Sequence, residues 1–273
     1  VNLAYEAATA DLNDVNMIDP FHLEAYGETT VNYNRDVEIF PVLSAIFERI
    51  FGKCPYQSPT DMGVNMAGNC IIDDEACREA SRQEIIRRYY QALEGRLEES
   101  NTGEEVFKLE LLMKQAGIST ENRRVTTAAL ERAEKTGAPA AAIELEDGRI
   151  LTGKTSDLLG ASAALLLNTL KELAQIPHNL HVLSPTAIEP IQKLKIDYLG
   201  SKNPRLHTDE VLIALSSTAA TSDVAKLALE QLPKLKGCQV HSSVMLSSVD
   251  KKVFKKLGVQ LTSEPVYEHK KIY

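Results

Sequence analysis

The sequence predicts a protein of mixed α and β structure (α+β or α/β), in which a helical subdomain precedes a three-layer α/β domain. Apolar residues recur with helical spacing through residues 36–136, and short strand-like and helical stretches alternate from 138 onward. The charge balance also changes near residue 135: residues 1–135 hold 14 Lys and Arg against 24 Asp and Glu, whereas residues 136–273 hold 16 against 14. These observations predict a connector over 1–35, a helical subdomain over 36–136 and an α/β domain over 137–273.

Four stretches carry the helical pattern: FPVLSAIFERIFG, DEACREASRQEIIRRYYQALEGRL, EEVFKLELLMKQAG and STENRRVTTAALERAEKTG. Gly117 and Gly137 are placed to end the last two helices, and Ser119 or Thr120 can cap the start of the fourth. We expect the neighbouring tyrosines 89 and 90 to be an exposed aromatic pair.

The α/β domain begins with a predicted hairpin, because Asp147-Gly148 between two apolar runs supplies a tight turn. A buried helix follows in LLGASAALLLNTLKELAQI, then a strand in LHVLSP and a helix in TAIEPIQKLKIDYLG. Two further helices (DEVLIALSSTAATS and DVAKLALEQLPKL) precede a strand in QVHSSVMLS, a helix in VDKKVFKKLG and a strand in VQLTSEPV. This order predicts a sheet with helices packed on its faces.

Composition excludes two classes of partner. The longest apolar run, at 161–170, is far shorter than the roughly 20 residues that span a bilayer, so we expect no contact with a membrane. The formal net charge of −8 argues against nucleic acid, which binds basic surfaces.

The four cysteines form no CxxC pair, so we expect reduced thiols and a cytoplasmic protein. The chain begins with Val1 and not Met, which we interpret as a fragment that lacks its upstream part.

Two motifs come close to known chemistry. Residues 63–70, GVNMAGNC, have the GxxxxG spacing of a phosphate loop, but Asn69 and Cys70 replace the lysine and hydroxyl that such loops use, so a turn before a helix is the better interpretation. Residues 22–24, HLE, match half of a zinc deaminase signature, whose other half, PCxxC, is absent from the sequence. We therefore expect no metal site.

The stretch ELEDGRILTGKTSDLLGASAALLLNTL nevertheless resembles the hairpin and buried helix that open the cytidine deaminase fold. In those enzymes a second helix starts with PCxxC, and the matching place here is residues 185–189, PTAIE. Thr186 and Glu189 stand where the two zinc thiolates would be. The resemblance implies a deaminase-like topology that lacks the zinc ligands.

The loop GSKNPRLHTDE, at residues 200–210, gathers four polar donors before an apolar helix: Lys202, Asn203, Arg205 and His207. Thr208 could cap that helix, with Asp209 and Glu210 in its first turn. The loop is either a helix start or a site for a ligand, a domain or a subunit, and four donors exceed what capping requires. His241 is a further candidate, because it shares a strand face with Ser243, although a buried core histidine is the alternative.

The sequence is identified as resembling the bacterial family known as domain of unknown function 1846. Five segments carry the resemblance: NLAYEAATADLNDVNMIDPFHLEAYG, NYNRDVEIFPVL, SPTDMGVNMAGNCIIDD, LGSKNPRLHTDEVLIAL and QLPKLKGCQVHSSVMLSSVD. It implies a protein about twice this length, whose upstream half holds a phosphate-loop-like stretch. This part would then hold no cofactor of its own, and a nucleotide would bind in the missing half. Candidate walls of a shared cleft are Asn32, Asn34, Arg35, Asp61 and Asn65.

Two functions stay open. The first is an enzyme whose cleft lies between the missing nucleotide-type domain and residues 1–70 of this chain. The second is a non-catalytic binding or oligomerisation module that uses the helical subdomain as its interface. In either case we expect a homo-oligomer that also contacts its own upstream half. Some members of the family are labelled ATP-dependent zinc peptidases, but the sequence contains no HExxH motif.

Overall fold

A computed structural model describes residues 33–55, 74–98, 103–177 and 179–268. The chain divides into two compact units, one formed by residues 1–89 with 104–122 and the other by residues 90–103 with 123–273. Each unit is considered by itself below. The subdomain boundaries inferred from the sequence remain a prediction.

The described part of the first unit is helical, as the apolar spacing predicts. Its elements, of which the second continues into the other unit from residue 90, are α1 (Tyr33–Phe51), α2 (Asp74–Leu97), α3 (Glu104–Ala116) and a 3₁₀ turn (Thr120–Asn122). Helix α3 ends before Gly117, as predicted. The expected cap at Ser119 or Thr120 is wrong: the amide of Ser119 donates to Oδ1 of Asn122 at 2.7 Å, and the next helix starts only after this turn.

The second unit is built on one mixed sheet. Its strands are β1 (Ala140–Glu144), β2 (Ile150–Lys154), β3 (Gln239–Ser242) and β4 (Gln260–Ser263). The strand order is β2-β1-β3-β4, with β1 antiparallel to both neighbours and β3 parallel to β4. The predicted hairpin turn is confirmed: Gly148 has φ of 79°, and the amide of Leu145 donates to the carbonyl of Arg149 at 2.9 Å.

The remaining elements of this unit alternate with the strands. They are α4 (Arg124–Thr136), α5 (Ala161–Leu173), α6 (Pro185–Lys193), a π turn (Leu194–Tyr198), α7 (Thr208–Ala219), α8 (Asp223–Leu229), a 3₁₀ turn (Leu232–Leu235) and α9 (Ser248–Lys256). Together with the sheet they place the protein in the α+β class. Among the residues that the structure describes, none of the helices combines the length and the apolar character needed to cross a membrane.

Helices pack against both faces of the sheet. Successive residues of a strand point to opposite faces, so neighbouring residues of β1 contact different helices. Ala141 and Ile143 of β1 belong to the main apolar core, which also contains the buried leucines of α5. Between them, Ala142 packs against Val125 and Ala129 of α4 on the other face. Helix α5 lies so close to β2 that a Cβ atom on Gly153 would come within 2.2 Å of the amide nitrogen of Leu165.

Two expectations about local structure are wrong. Residues 180–185, predicted as a strand, form none: Val182 and Leu183 are buried in the core, but Ser184 is already the N-cap of α6 and Pro185 its first residue. Tyr90 is not exposed; only 3% of its surface is accessible, since its ring packs against that of His241 with 4.9 Å between the centroids.

Candidate active site

Ionisable side chains converge at the carboxyl end of the parallel pair β3 and β4. Open α/β sheets place ligands at this kind of edge. The segments that leave the two strands stay together, because the amide of Met245 donates to the carbonyl of Val266 at 2.8 Å. We use the term edge cluster for the residues gathered here, which are Tyr90, Glu94, His207, His241, Ser247, Asp250, Lys251, Ser263 and Glu264.

Asp250, in the first turn of α9, is the most heavily bonded member of the edge cluster. It is 4% exposed, and its Oδ1 accepts from the amide of Thr208 at 2.9 Å and from the hydroxyl of Thr208 at 2.8 Å. Its Oδ2 accepts from the hydroxyl of Ser247 at 2.7 Å and lies 3.0 Å from Nδ1 of His207. Burial alone would raise the pKa of Asp250, but these hydrogen bonds outweigh it and lower the pKa to about 2. The carboxylate is therefore ionised at neutral pH.

The start of α7 differs from the prediction at one residue. Thr208 is not the N-cap but the first helical residue, and the cap position is held by His207. Glu210 accepts from the amide of His207 at 2.8 Å, while Asp250 from α9 accepts from the amide of Thr208. A carboxylate 42 residues away thus performs part of the capping, and a local pattern cannot reveal such a partner.

The ring of His207 is partly accessible to solvent. Its side chain is 32% exposed, and its Nδ1 is the atom that faces Asp250. The hydrogen bond with Asp250 raises the pKa of His207; burial and the charge of Lys195 oppose this effect, while Glu210 adds to it. The ring is thereby oriented by a buried carboxylate, as in many sites where a histidine transfers protons.

Ser247 does not complete a nucleophilic triad. Its hydroxyl donates to Asp250 and accepts from the backbone amide of Asp250 at 3.1 Å, which makes it the N-cap of α9. It lies 3.4 Å from Nδ1 of His207, the nitrogen that already faces Asp250. A histidine base would need its other nitrogen at the serine, so Ser247 serves the fold here.

His241 is a core histidine, the alternative that the sequence left open. It is 0% exposed; its Nδ1 lies 2.8 Å from the hydroxyl of Thr262, and its Nε2 lies 3.2 Å from Oε1 of Glu264, without the alignment of a full hydrogen bond. Burial lowers the pKa of His241, although Glu264 opposes this effect. Both ring nitrogens of His241 face protein groups, and its Nε2 lies next to the carboxylate of Glu264.

Glu264 follows the last residue of β4 and carries a partly exposed carboxylate. Its Oε1 accepts from the hydroxyl of Tyr90 at 3.0 Å. Burial would raise the pKa of Glu264, but the contacts with His241 and Tyr90 lower it. Within the described residues, its Oε2 atom makes no hydrogen bond, and 23% of the side chain is exposed. An ionised acceptor is thus held at the strand end.

The neighbouring residue, Ser263, joins the edge cluster to α2. Its hydroxyl donates to Glu94, which also binds Nζ of Lys251 at 2.6 Å. Lys251 directly follows Asp250 in α9. Helix α9 therefore links the residues around Asp250 with those around Glu94 and Glu264.

The other residues of the polar loop have ordinary roles. Lys202 is exposed, and Oδ1 of Asn203 accepts from the amide of Arg205 at 3.2 Å. Arg205 binds Glu268 at 2.6 Å, which ties the loop to the segment after β4. Of the loop, only His207 therefore joins the edge cluster.

Several predicted site residues cannot be placed. Asn32, Asp61 and Asn65 lie outside the described residues, as do the GxxxxG stretch and the HLE triplet. Asn34 and Arg35 lie in the first part of α1, residues 33–40, where only the backbone is described.

Sequence reasoning missed Asp250, Glu264 and Tyr90. Asp250 had one local signal, namely its place three residues after a serine at a helix start. The other two had none, since Tyr90 reads as one of a run of helical apolar residues and Glu264 as the polar end of a strand. In the part of the chain that the structure describes, no group of three His, Cys, Asp or Glu side chains is arranged to hold a metal ion.

The fold and the edge cluster define an α+β protein with ionisable groups at the carboxyl end of a parallel strand pair. Comparison with known families adds that the chain belongs to the DUF1846 family. The description "Domain of unknown function DUF1846, N-terminal" matches residues 1–117, and "Domain of unknown function DUF1846, C-terminal" matches residues 121–273. The family resemblance read from the sequence is therefore confirmed.

Similar proteins come from several bacteria and bear the name UPF0371 protein. Those of Corynebacterium urealyticum, Corynebacterium efficiens and Streptococcus pyogenes serotype M5 are 59%, 60% and 58% identical to this chain over 273 residues. Each comparison covers 100% of this chain and 55% of the relative, so the chain spans about half the length of the relatives it matches. The protein is a member of an uncharacterised, conserved bacterial family.

Proposed function

We propose that the protein is an enzyme whose reaction takes place at the edge cluster. The observation that carries this proposal is a hydrogen-bonded network that contains two pairs of groups with shifted pKa values, His207 with Asp250 and His241 with Glu264. The two pairs are linked through Lys251, Glu94 and Ser263, next to the carboxyl end of β4. Shifted pKa values concentrate at catalytic sites, and this edge of a sheet is where α/β enzymes bind ligands. Glu264 supplies an ionised acceptor to the substrate, and Lys251, bound to Glu94 at 2.6 Å, is the cation of the edge cluster.

A non-catalytic binding or oligomerisation module is the second candidate. It is favoured by apolar side chains that α1 leaves exposed at spacings of four residues, namely Val42, Ile46 and Ile50. In this proposal the helix binds a second copy of the protein, in keeping with the expected homo-oligomer, and the edge cluster only stabilises the second unit.

We also propose a deaminase-like topology that lacks the deaminase metal and, with it, the deaminase chemistry. It is supported by the β1–β2 hairpin, the buried helix α5 that follows it, and the start of α6 at Pro185. Thr186 and Glu189 occupy the places of the thiolates, and the hydroxyl of Thr186 pairs with that of Ser184 at 2.7 Å. We predict that the purified chain binds no stoichiometric zinc. Elemental analysis that finds one tightly held zinc per chain would contradict this arrangement.

We propose a cytoplasmic protein that binds neither membrane nor nucleic acid, because the chain is acidic and its apolar runs are short. We propose a nucleotide as its cofactor, bound outside these 273 residues; its motivation is the family resemblance and the greater length of the relatives.

Metabolite profiling in the source bacterium separates the enzyme from the module. The chromosomal gene is replaced by Glu264→Gln, by the matched control Glu268→Gln on the same segment, or by a deletion. Glutamine keeps an oxygen for the hydroxyl of Tyr90, so the variant is expected to fold, and its amount and oligomeric state are checked in extracts. If the protein is an enzyme, the Glu264→Gln strain accumulates the same compounds as the deletion strain, while the control resembles the wild type.

A module gives the opposite pattern. The Glu264→Gln strain then resembles the wild type, whereas Ile46→Lys, which places a charge on the exposed face of α1, reproduces the deletion and changes the oligomeric state. That result would overturn the proposal of an enzyme.

A further inference from the structure

The proton on the ring of His207 can be located from its partner. Asp250 is ionised and can only accept hydrogen bonds, and its Oδ2 lies 3.0 Å from Nδ1 of His207. Nδ1 must therefore carry a proton and donate a hydrogen bond to Asp250. In the neutral ring, the lone pair is then on Nε2.

The Nε2 atom of His207 faces no partner within the described residues, where no hydrogen bond to it is found. The side chain is 32% exposed, so a small molecule can reach the ring. His241 differs on both points, because its ring is fully buried and each of its nitrogens faces a protein group. Of the two histidines in the edge cluster, only His207 can exchange a proton with a ligand.

We propose that His207 is the general base of the edge cluster and takes a proton at Nε2 from a bound water or substrate hydroxyl. This inference rests on the proposed enzyme function. As the O–H proton moves to Nε2, the electron pair of that oxygen forms a bond to the electrophilic atom of the substrate. The bond from that atom to the leaving group then breaks, and the leaving group keeps its electron pair. The imidazolium that results is stabilised by Asp250, a positioning residue, and returns the proton to the leaving group.

The charges around the ring suit this role. Asp250 and Glu210 favour the imidazolium, and Lys195, which binds Glu210 at 2.8 Å, opposes it. The balance raises the pKa of His207 above its ordinary value, so the base form becomes dominant only as the pH rises above 6.5. A reaction that depends on this base should speed up over the same pH range.

A purely structural role makes a different prediction. Asp250 retains the hydrogen bonds of Thr208 and Ser247 when the ring of His207 is absent, and Glu210 still caps the backbone. The helix start therefore keeps its carboxylate partners without the imidazole, and a glutamine oxygen at position 207 can replace the ring in the capping box with the amide of Glu210. His207→Gln should fold in either case, which makes it a usable test, and the exposed His181 supplies a matched control as His181→Gln.

The test is the hydrolysis of p-nitrophenyl acetate by the full chain. Water is the nucleophile, and p-nitrophenolate leaves. We expect His207→Gln to lower the rate at least tenfold, His181→Gln to leave it unchanged, and the wild-type rate to rise with pH along the titration of His207 measured by NMR. Equal rates for the wild type and His207→Gln, whether high or at background, would overturn the inference.

NMR of the ¹⁵N-labelled imidazoles tests the tautomer without any reaction. The neutral ring of His207 should show a protonated Nδ1 and a bare Nε2, and the reverse pattern would overturn the inference. The two proposals fail separately. If Glu264→Gln reproduces the deletion profile but His207→Gln keeps its hydrolysis rate, only the general base is wrong. If Glu264→Gln resembles the wild type, the enzyme proposal fails.

Discussion

Asp250→Asn should destabilise the second unit by an amount that depends on pH. The pKa of Asp250 falls from 3.8 to about 2 on folding, because three side chains and a backbone amide hold its ionised form. Each unit of pKa shift corresponds to about 1.4 kcal/mol, so the ionised carboxylate contributes about 2 kcal/mol at neutral pH. Asparagine keeps the shape of the side chain and loses this contribution.

The sign of the pH dependence follows from the lowered pKa. A carboxyl group whose folded pKa is depressed stabilises the protein above its unfolded pKa and loses that contribution as the pH falls through its folded pKa. The destabilisation of Asp250→Asn should therefore be complete near pH 6, about half as large at pH 3, and nearly gone below pH 2.

Native-state hydrogen exchange of the amides of α7 and β3 measures this effect within the second unit. The matched control is Asp223→Asn, which replaces an exposed carboxylate in the first turn of α8 and should cost at most about 0.5 kcal/mol. Equal effects of the two substitutions, or a penalty for Asp250→Asn that does not fall between pH 6 and 3, would refute the reasoning.

Three other predictions follow from single contacts. Gly153→Ala should cost about 1–3 kcal/mol, because its Cβ would meet the backbone of Leu165, and a change in melting temperature within error would contradict this. Arg205→Ala should cost less than about 1 kcal/mol, since its ion pair with Glu268 is partly exposed, and thermal unfolding checks it. His207 has a raised pKa, so its pairing stabilises the protein below pH 6.5 and is lost as the pH rises further; His207→Gln should remove this slope in hydrogen exchange measured between pH 5 and 8.

Much of the fold could be predicted because its signals are local. The helices of the first unit show apolar residues at helical spacing, and the turn before β2 needs the glycine that the sequence provides at 148. The strand predicted at 180–185 is wrong for a local reason as well. Apolar residues there are buried by packing alone, and the proline at 185 starts a helix before a strand can pair.

The candidate site was only partly accessible to sequence reasoning, because its members meet through the sheet. His207 and His241 looked alike as candidates, and only their surroundings separate them: one is reached by solvent, while the other lies under Tyr90. Asp250 lies 43 residues from His207, and Glu264 lies 174 residues from Tyr90. No spacing rule joins residues over such distances, and a parallel strand pair brings them together only once the fold exists.

The polar loop is both a helix start and a candidate site, because one carboxylate serves both roles. Asp250 lies in the first turn of α9 and also accepts from the first residue of α7, so it interacts with the positive ends of two helices. Those interactions keep it ionised while it is buried, and an ionised Asp250 is what fixes the proton of His207 on Nδ1. Stability and the tautomer of His207 are therefore coupled at Asp250, where a neutral substitution is expected to change both. Substitution of His207 by glutamine leaves the carboxylate partners of the helix start in place, and so it distinguishes the proposed chemistry from structure.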